Sequence, residues 1–194
     1  MKVIGLTGGI GSGKSTVSEY LKVKDILIID ADAISREIVV PGSKESALNE
    51  LVDVFGSSIL FEDGTLDRKQ LAAIAFSSKE NKDLLDKIML GKIVNVILCR
   101  IEEAKLLNLK QVIVDAPLLF EADLAKYCDE VWVVDASEEA RINRVMARDG
   151  ATVEEVIARI KNQSTTEEKK SKATHVLDNS TTKEALYSQI DEIL

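Results

Sequence analysis

The sequence predicts an α/β architecture, a parallel five-stranded sheet flanked by helices, and three observations carry that prediction. Five short apolar runs, residues 3–7, 26–30, 111–116, 130–135 and 175–179, are too short for helices, and most lack the polar alternation of a half-exposed strand. Unbroken apolar strands are those buried on both faces, as in parallel sheets covered by helices. The segments between the runs are long enough for the crossover helices that parallel neighbours require. The first run ends in GGIGSGKS, residues 8–15, a glycine-rich turn placed where a strand stops and a helix should begin.

Composition suits such a domain. Of 194 residues, 45% are hydrophobic and 30% charged, with 10 glycines and 2 prolines, which excludes a collagen-like or disordered chain. The net charge of -8 offers no general attraction to phosphates, so no nucleic-acid partner is expected and any phosphate ligand needs a local site. Cys99 and Cys128 have no second Cys or His at ligand spacing, so they read as two buried thiols in a reducing compartment. Glycine arrives at position 5, too early for a signal-peptide core, and no run of about 18 apolar residues is present. A cytoplasmic chain without a membrane partner is the expectation, acting as a monomer or weak homo-oligomer.

Residues 8–15 fit the pattern Gly, four residues, Gly-Lys-Ser of a P-loop. The backbone of Gly9, Gly11, Ser12 and Gly13 can curl with its amides turned inward, and the following helix adds the positive end of its dipole. Lys14 is placed to reach β and γ phosphates, Ser15 to ligate Mg²⁺ and Thr16 to lie beside the α phosphate. A dinucleotide fingerprint would need glycine where Lys14 stands, which favours a nucleoside triphosphate.

The second run delivers Asp30-Ala31-Asp32 at its carboxyl end. Asp32 either orients the hydroxyl of a phosphoryl acceptor, or caps the next helix and pairs with Arg36 four residues on. Residues 32–110 then carry helical periodicity, with Leu48, Leu51, Val52 and Phe55 in one set and Leu84, Leu85, Ile88, Ile93, Ile97 and Ile101 in another. This is too much for one crossover and reads as a helical subdomain, with turns at Pro41-Gly42 and Asp63-Gly64. The third run ends in Asp115, in the form of a Walker-B acid that holds Mg²⁺; the alternative is a carboxylate that caps a turn, and the P-loop favours the metal. Residues 141–172 form a second charged helical insertion, with capping boxes at Thr152 to Glu155 and Thr165 to Glu168. Arg141, Arg144 and Arg148 recur there at helical spacing. They either neutralise a triphosphate or form a solvated face balanced by Glu138, Glu139 and Asp149. His175 has no triad or metal partner in sequence and reads as structural.

GLTGGIGSGKSTV, DADAISREIVVPG, FGSSIL, DGTLDRKQL, DAPLLFE, VWVVD, RVMARDG and HVLDNS resemble, in order, the dephospho-coenzyme A kinases. The resemblance runs almost end to end, and its specific parts are the block from DAD to PG and the block PLLFE. It implies a P-loop kinase fold and ATP-dependent phosphorylation of the ribose 3′-hydroxyl of dephospho-CoA. It further implies Asp32 as the catalytic acid, with Lys14 and Arg144 as the other catalytic groups. Arg36, Pro117, Leu118, Leu119 and Glu121 become acceptor-side contacts, Arg144 and Arg148 lid arginines over ATP, and Asn179 a residue beside the adenine. The implied partition is a nucleotide core of residues 1–35, 110–140 and 173–194, an acceptor subdomain of 36–109 and a lid of 141–172. Two departures stand out: Leu90-Gly91 replaces the family's His-Pro, and Ala173-Thr174 its Ala-Asp. The rival expectations are a kinase for another small acceptor, such as a nucleoside monophosphate, and an ATP-binding switch without catalysis.

Overall fold

The computed structural model describes residues 1–161 and 166–194. Strands β1 (Lys2–Gly8), β2 (Leu27–Asp30), β3 (Gln111–Asp115), β4 (Glu130–Asp135) and β5 (His175–Asp178) form one sheet in the order β2-β3-β1-β4-β5. The pairings β1 with β3, β1 with β4 and β4 with β5 are parallel. The chain leaves β1 towards β2 on one side, and returns through β3 to β4 and β5 on the other. The carboxyl ends of β1 and β3 therefore meet where the strand order reverses, the place at which open α/β sheets put their ligands.

Helices α1 (Lys14–Val23) and α9 (Lys183–Ile193) cover the sheet. Their core joins Ile4, Leu6, Val17, Leu21, Ile113, Trp132, Val134, Leu177, Leu186 and Ile190, all buried. Each such side chain contributes about 1.5–3 kcal/mol by leaving water, which is how short strands without turn-turn support are held. Trp132 is fully buried and its indole Nε1 donates to Glu130 Oε2 at 3.1 Å, so its polar edge is satisfied. His175 presents its ring edge-on to Trp132 and lies 3.8 Å from Glu130, in keeping with a structural role.

After β4, Ser137 caps α6 (Glu138–Asp149) and Gly150 ends it in the left-handed region. Helix α7 (Val153–Lys161) opens with the expected capping box: Thr152 N donates to Glu155 Oε2 at 2.9 Å and Glu155 N to Thr152 Oγ1 at 3.3 Å. The second expected box begins at Thr165, outside the described residues. Val145, Ala151 and Val156 form a small cluster with Ile10, so the α6–α7 pair packs onto the glycine-rich turn. Helix α8 (Thr166–Ser171) leads into β5.

The chain divides into two compact units, Met1–Ile29 with Ala104–Leu194, and Asp30–Glu103. The second unit carries α2 (Ala31–Glu37), α3 (Leu48–Phe55), α4 (Arg68–Ala75) and most of α5 (Lys79–Leu106). Between these helices lies a turn at Asp63-Gly64, where the sequence placed one. Leu60 and Leu66 form an antiparallel bridge over a turn in which Asp63 accepts from Thr65 N and Oγ1. That carboxylate offers the backbone an alternative to a helical turn. The apolar spacing of α5 overstates its core. Leu84 is 43% exposed, and the buried positions are Val96, Ile97, Ile101 and Ala104, because only the second half of this long helix is covered.

Of the two thiols expected to be buried, Cys99 is exposed, lying two residues from Ile97 and so on the far side of α5. Cys128 is half-buried near Gly5, and that partial burial, helped by Asp129, pushes the thiol up to about 12. A thiol so raised is neutral at mildly alkaline pH and does not attack electrophiles. Iodoacetamide at about pH 8 is expected to alkylate Cys99 alone in the native chain, with Cys128 labelled only after denaturation; peptide mass mapping checks this. Equal native labelling of both would refute the burial argument. Among the described residues no helix is long and apolar enough to cross a membrane.

Candidate active site

The glycine-rich turn leaves β1 at Gly8, where an added Cβ would stand 2.7 Å from the Val134 carbonyl. Gly11 (φ 76°) and Gly13 (φ 90°) take the left-handed backbone that L side chains resist. A side chain at Gly13 would also collide with the Asn179 amide. Helix α1 starts at Lys14 with no side-chain cap and no acidic residue in its first turn, so the helix itself leaves the partial positive charge there uncompensated. Ser15 is exposed on that turn and Thr16 half-buried.

The turn is gripped by its carbonyls. Arg141 Nε donates to Ile10 O at 3.0 Å. Arg144 Nη1 reaches Gly11 O and Ser12 O at 3.4 Å each, and its Nη2 donates to Asn179 O at 2.7 Å. Asn179 Nδ2 donates to Ser12 O at 2.8 Å. Arg141 and Asn179 are both buried. Arg148 turns instead to Asp149, with bonds of 2.7 and 3.1 Å, and Arg159 joins the same carboxylate at 2.9 Å. The Arg148 bond, with help from Arg159, holds the Asp149 carboxyl below its ordinary range.

At the end of β3, the buried Asp115 carboxylate forms an ion pair with Lys14 through Oδ1 and accepts from Ser18 Oγ at 2.5 Å through Oδ2. Taking either charge out of water alone would be costly, so the pair and the hydroxyl sustain each other. Thr7 Oγ1 donates to Pro117 O at 3.1 Å and ties the end of β1 to the segment after β3. In that segment Leu118 is 49% exposed and Leu119 fully buried. Lys169 of α8, buried, donates to Pro117 O at 3.3 Å and lies 3.7 Å from Glu121 Oε1.

Within the second unit, Asp30 caps α2, accepting from Asp32 N at 2.8 Å and Ala33 N at 3.0 Å. The alternative in which Asp32 is the cap is thereby removed. Asp32 is exposed on the first turn of α2 and Arg36 exposed on its last.

The structure thus brings together Lys14 with Asp115, and Arg144 and Asn179 with the turn at Gly11–Gly13. Three members escaped sequence reasoning as site residues. Ser18 carried a signal, since it lies one helical turn from Lys14 and so shares its face. Arg141 was visible only as part of the arginine spacing. Nothing local distinguishes Lys169 from its neighbour Lys170.

The dephospho-CoA kinase family model matches residues 2–184. A dephospho-CoA kinase of Carboxydothermus hydrogenoformans is 42% identical over 194 residues, covering 100% of this chain and 93% of that relative. Among solved structures, TT1252 from Thermus thermophilus aligns with a TM-score of 0.82 at 34% identity, over 99% of this chain and 95% of that one. A dephospho-CoA kinase from Campylobacter jejuni aligns with a TM-score of 0.74 at 30% identity, over 100% and 98%. The expected P-loop kinase fold is present. A chain that matches the family across nearly its whole length, with this loop and strand-end acid in place, belongs to the dephospho-CoA kinases, which use ATP to convert dephospho-CoA to coenzyme A.

Proposed function

We propose that residues 8–16 cradle the triphosphate of ATP and that the γ-phosphoryl passes in line to the ribose 3′-hydroxyl of dephospho-CoA. The observation that carries this is the Lys14–Asp115 pair at the reversal point of the sheet, beside a turn whose carbonyls are held by Arg141, Arg144 and Asn179. The backbone of Gly9, Gly11, Ser12 and Gly13 serves the phosphates, Lys14 the β and γ groups, and Thr16 the α phosphate. Asn179 lies on the adenine side. Arg144 takes up the charge that spreads over the equatorial oxygens in a loose transition state, joined by Arg148 when it leaves Asp149.

Mg²⁺ fits the donors present. It favours oxygen, accepts few protein ligands and keeps phosphates and water as the rest. The Ser15 hydroxyl would hold it, with the Asp115 carboxylate, whose oxygens already meet Lys14 and Ser18, acting through water, and among the described residues no cluster of three or more acidic, His or Cys groups competes as an all-protein cage. When bound it neutralises charge on the β and γ oxygens.

Asp32 orients the acceptor hydroxyl, a role that needs placement more than strong basicity. Two things support this: its place in the family's DAD block, and the fact that capping falls to Asp30. Arg36 and the segment Pro117, Leu118, Leu119 and Glu121 face the acceptor, with buried Leu119 anchoring exposed Leu118. The partition follows as a core of 1–35, 110–140 and 173–194, an acceptor subdomain of 36–109 and a lid of 141–172. The grouping of Asp30–Glu103 as one unit supports the acceptor subdomain. The reaction belongs in the cytoplasm, whose reducing conditions suit the free thiols Cys99 and Cys128.

The test is ADP production with and without dephospho-CoA, followed by the mass of the product. ADP formed only with the acceptor, and a product heavier by one phosphoryl group, is the expected result. ADP release that responds to nucleoside monophosphates and not to dephospho-CoA would overturn the assignment.

A further inference from the structure

Lysine is almost never fully buried unless something pairs with it. Lys169 is 2% exposed, and its ammonium meets the Pro117 carbonyl at 3.3 Å and the Glu121 carboxylate at 3.7 Å. The same carbonyl accepts from Thr7 Oγ1, so one oxygen joins the end of β1, helix α8 and the start of the 117–121 segment. Two further lysines of this stretch are also engaged. Lys170 pairs with Asp135, the last residue of β4, at 2.5 Å, and the Lys172 ammonium stands 5.5 Å from the centre of the Phe120 ring. Lys170 therefore fixes α8 to the carboxyl end of β4, while Lys169 from α8 and Lys172 just beyond it reach onto the segment.

Stability alone does not account for the choice of lysine. Replacing the lysine and its carboxylate partner together by apolar side chains that fill the same space is commonly neutral or stabilising. What the charge adds is direction, a hold on one carbonyl and one carboxylate that brackets the exposed Leu118 from both sides.

We propose that Lys169 is a positioning residue for the acceptor: from α8 it sets the 117–121 segment against which dephospho-CoA binds, and so couples the lid to the acceptor side. This rests on the reading that residues 117–121 contact the acceptor. Lys169→Met in the full chain is expected to raise the KM for dephospho-CoA about tenfold while the KM for ATP and calorimetric ATP affinity stay within about twofold. Lys169→Arg, which keeps charge and donors, should recover most of the loss, and Glu121→Gln should raise the acceptor KM by about threefold.

An unchanged acceptor KM in Lys169→Met, or equal losses for both substrates, overturns the proposal. Should Lys169→Met fail to fold by circular dichroism, Glu121→Gln decides, and an unaltered acceptor KM there overturns it likewise. Leu118→Ala separates the two levels. If Leu118→Ala weakens the acceptor while the Lys169 and Glu121 variants do not, the coupling is wrong and the acceptor reading stands. If Leu118→Ala leaves the acceptor KM untouched, the acceptor reading fails and the proposal with it.

Discussion

Replacing Lys14 by methionine is expected to lower kcat about a thousandfold, which corresponds to ~4 kcal/mol of lost transition-state stabilisation. The magnitude follows from where the charge stands. The ammonium is placed at the start of α1, beside the turn proposed to cradle the phosphates, and a charge already held in position needs little reorganisation as the phosphoryl group moves. The same substitution leaves the buried Asp115 carboxylate with Ser18 as its remaining named partner, and should cost about 3–5 kcal/mol of folding stability, the range for breaking a buried pair. Adding Asp115→Asn removes the stranded charge. The double variant should therefore regain stability in denaturant melts while turnover stays low. Turnover within about tenfold of the parent for Lys14→Met would show that this ammonium does not touch the transferring group.

Asp32→Asn is expected to reduce turnover by about a thousandfold with ATP affinity held within about twofold. Structure sharpens this into a clean experiment. The helix-capping carboxylate is Asp30, so α2 keeps its cap in the variant, and stability should change by no more than about 0.5 kcal/mol. Asp30→Ala supplies the contrast, with about 1 kcal/mol lost from the missing cap. Quench-flow ADP formation together with calorimetric ATP binding checks the pair. Near-normal turnover in Asp32→Asn would remove Asp32 from the acceptor step.

The central strands β1, β3 and β4 were legible because burial on both faces writes itself as unbroken apolar runs, whereas the outer β2 and β5, only partly covered, showed themselves by β-branched residues and short length; every limit was read to within one residue, from 3–7 for Lys2–Gly8 to 175–179 for His175–Asp178. The box at Thr152 and Glu155 was legible because a cap is a local code, settled over three residues. Asp30 and Asp32 were not separable by pattern, since both carboxylates lie within reach of one helix start. Cys99 misled because apolar character alone does not say which side of α5 faces the core. Lys169 was invisible for a deeper reason. Its burial is decided by Pro117 and Glu121, about fifty positions earlier in the chain, and adjacent lysines in sequence carry no trace of which one the fold encloses.

The grip of Arg141, Arg144 and Asn179 on three successive carbonyls has a thermodynamic corollary. Peptide planes fastened at their oxygens resist rotation, so the orientation of the intervening amides is decided when the chain folds and not when nucleotide arrives. Capture of ATP should then proceed with little loss of main-chain freedom, and the turn should show slow amide hydrogen exchange even without nucleotide.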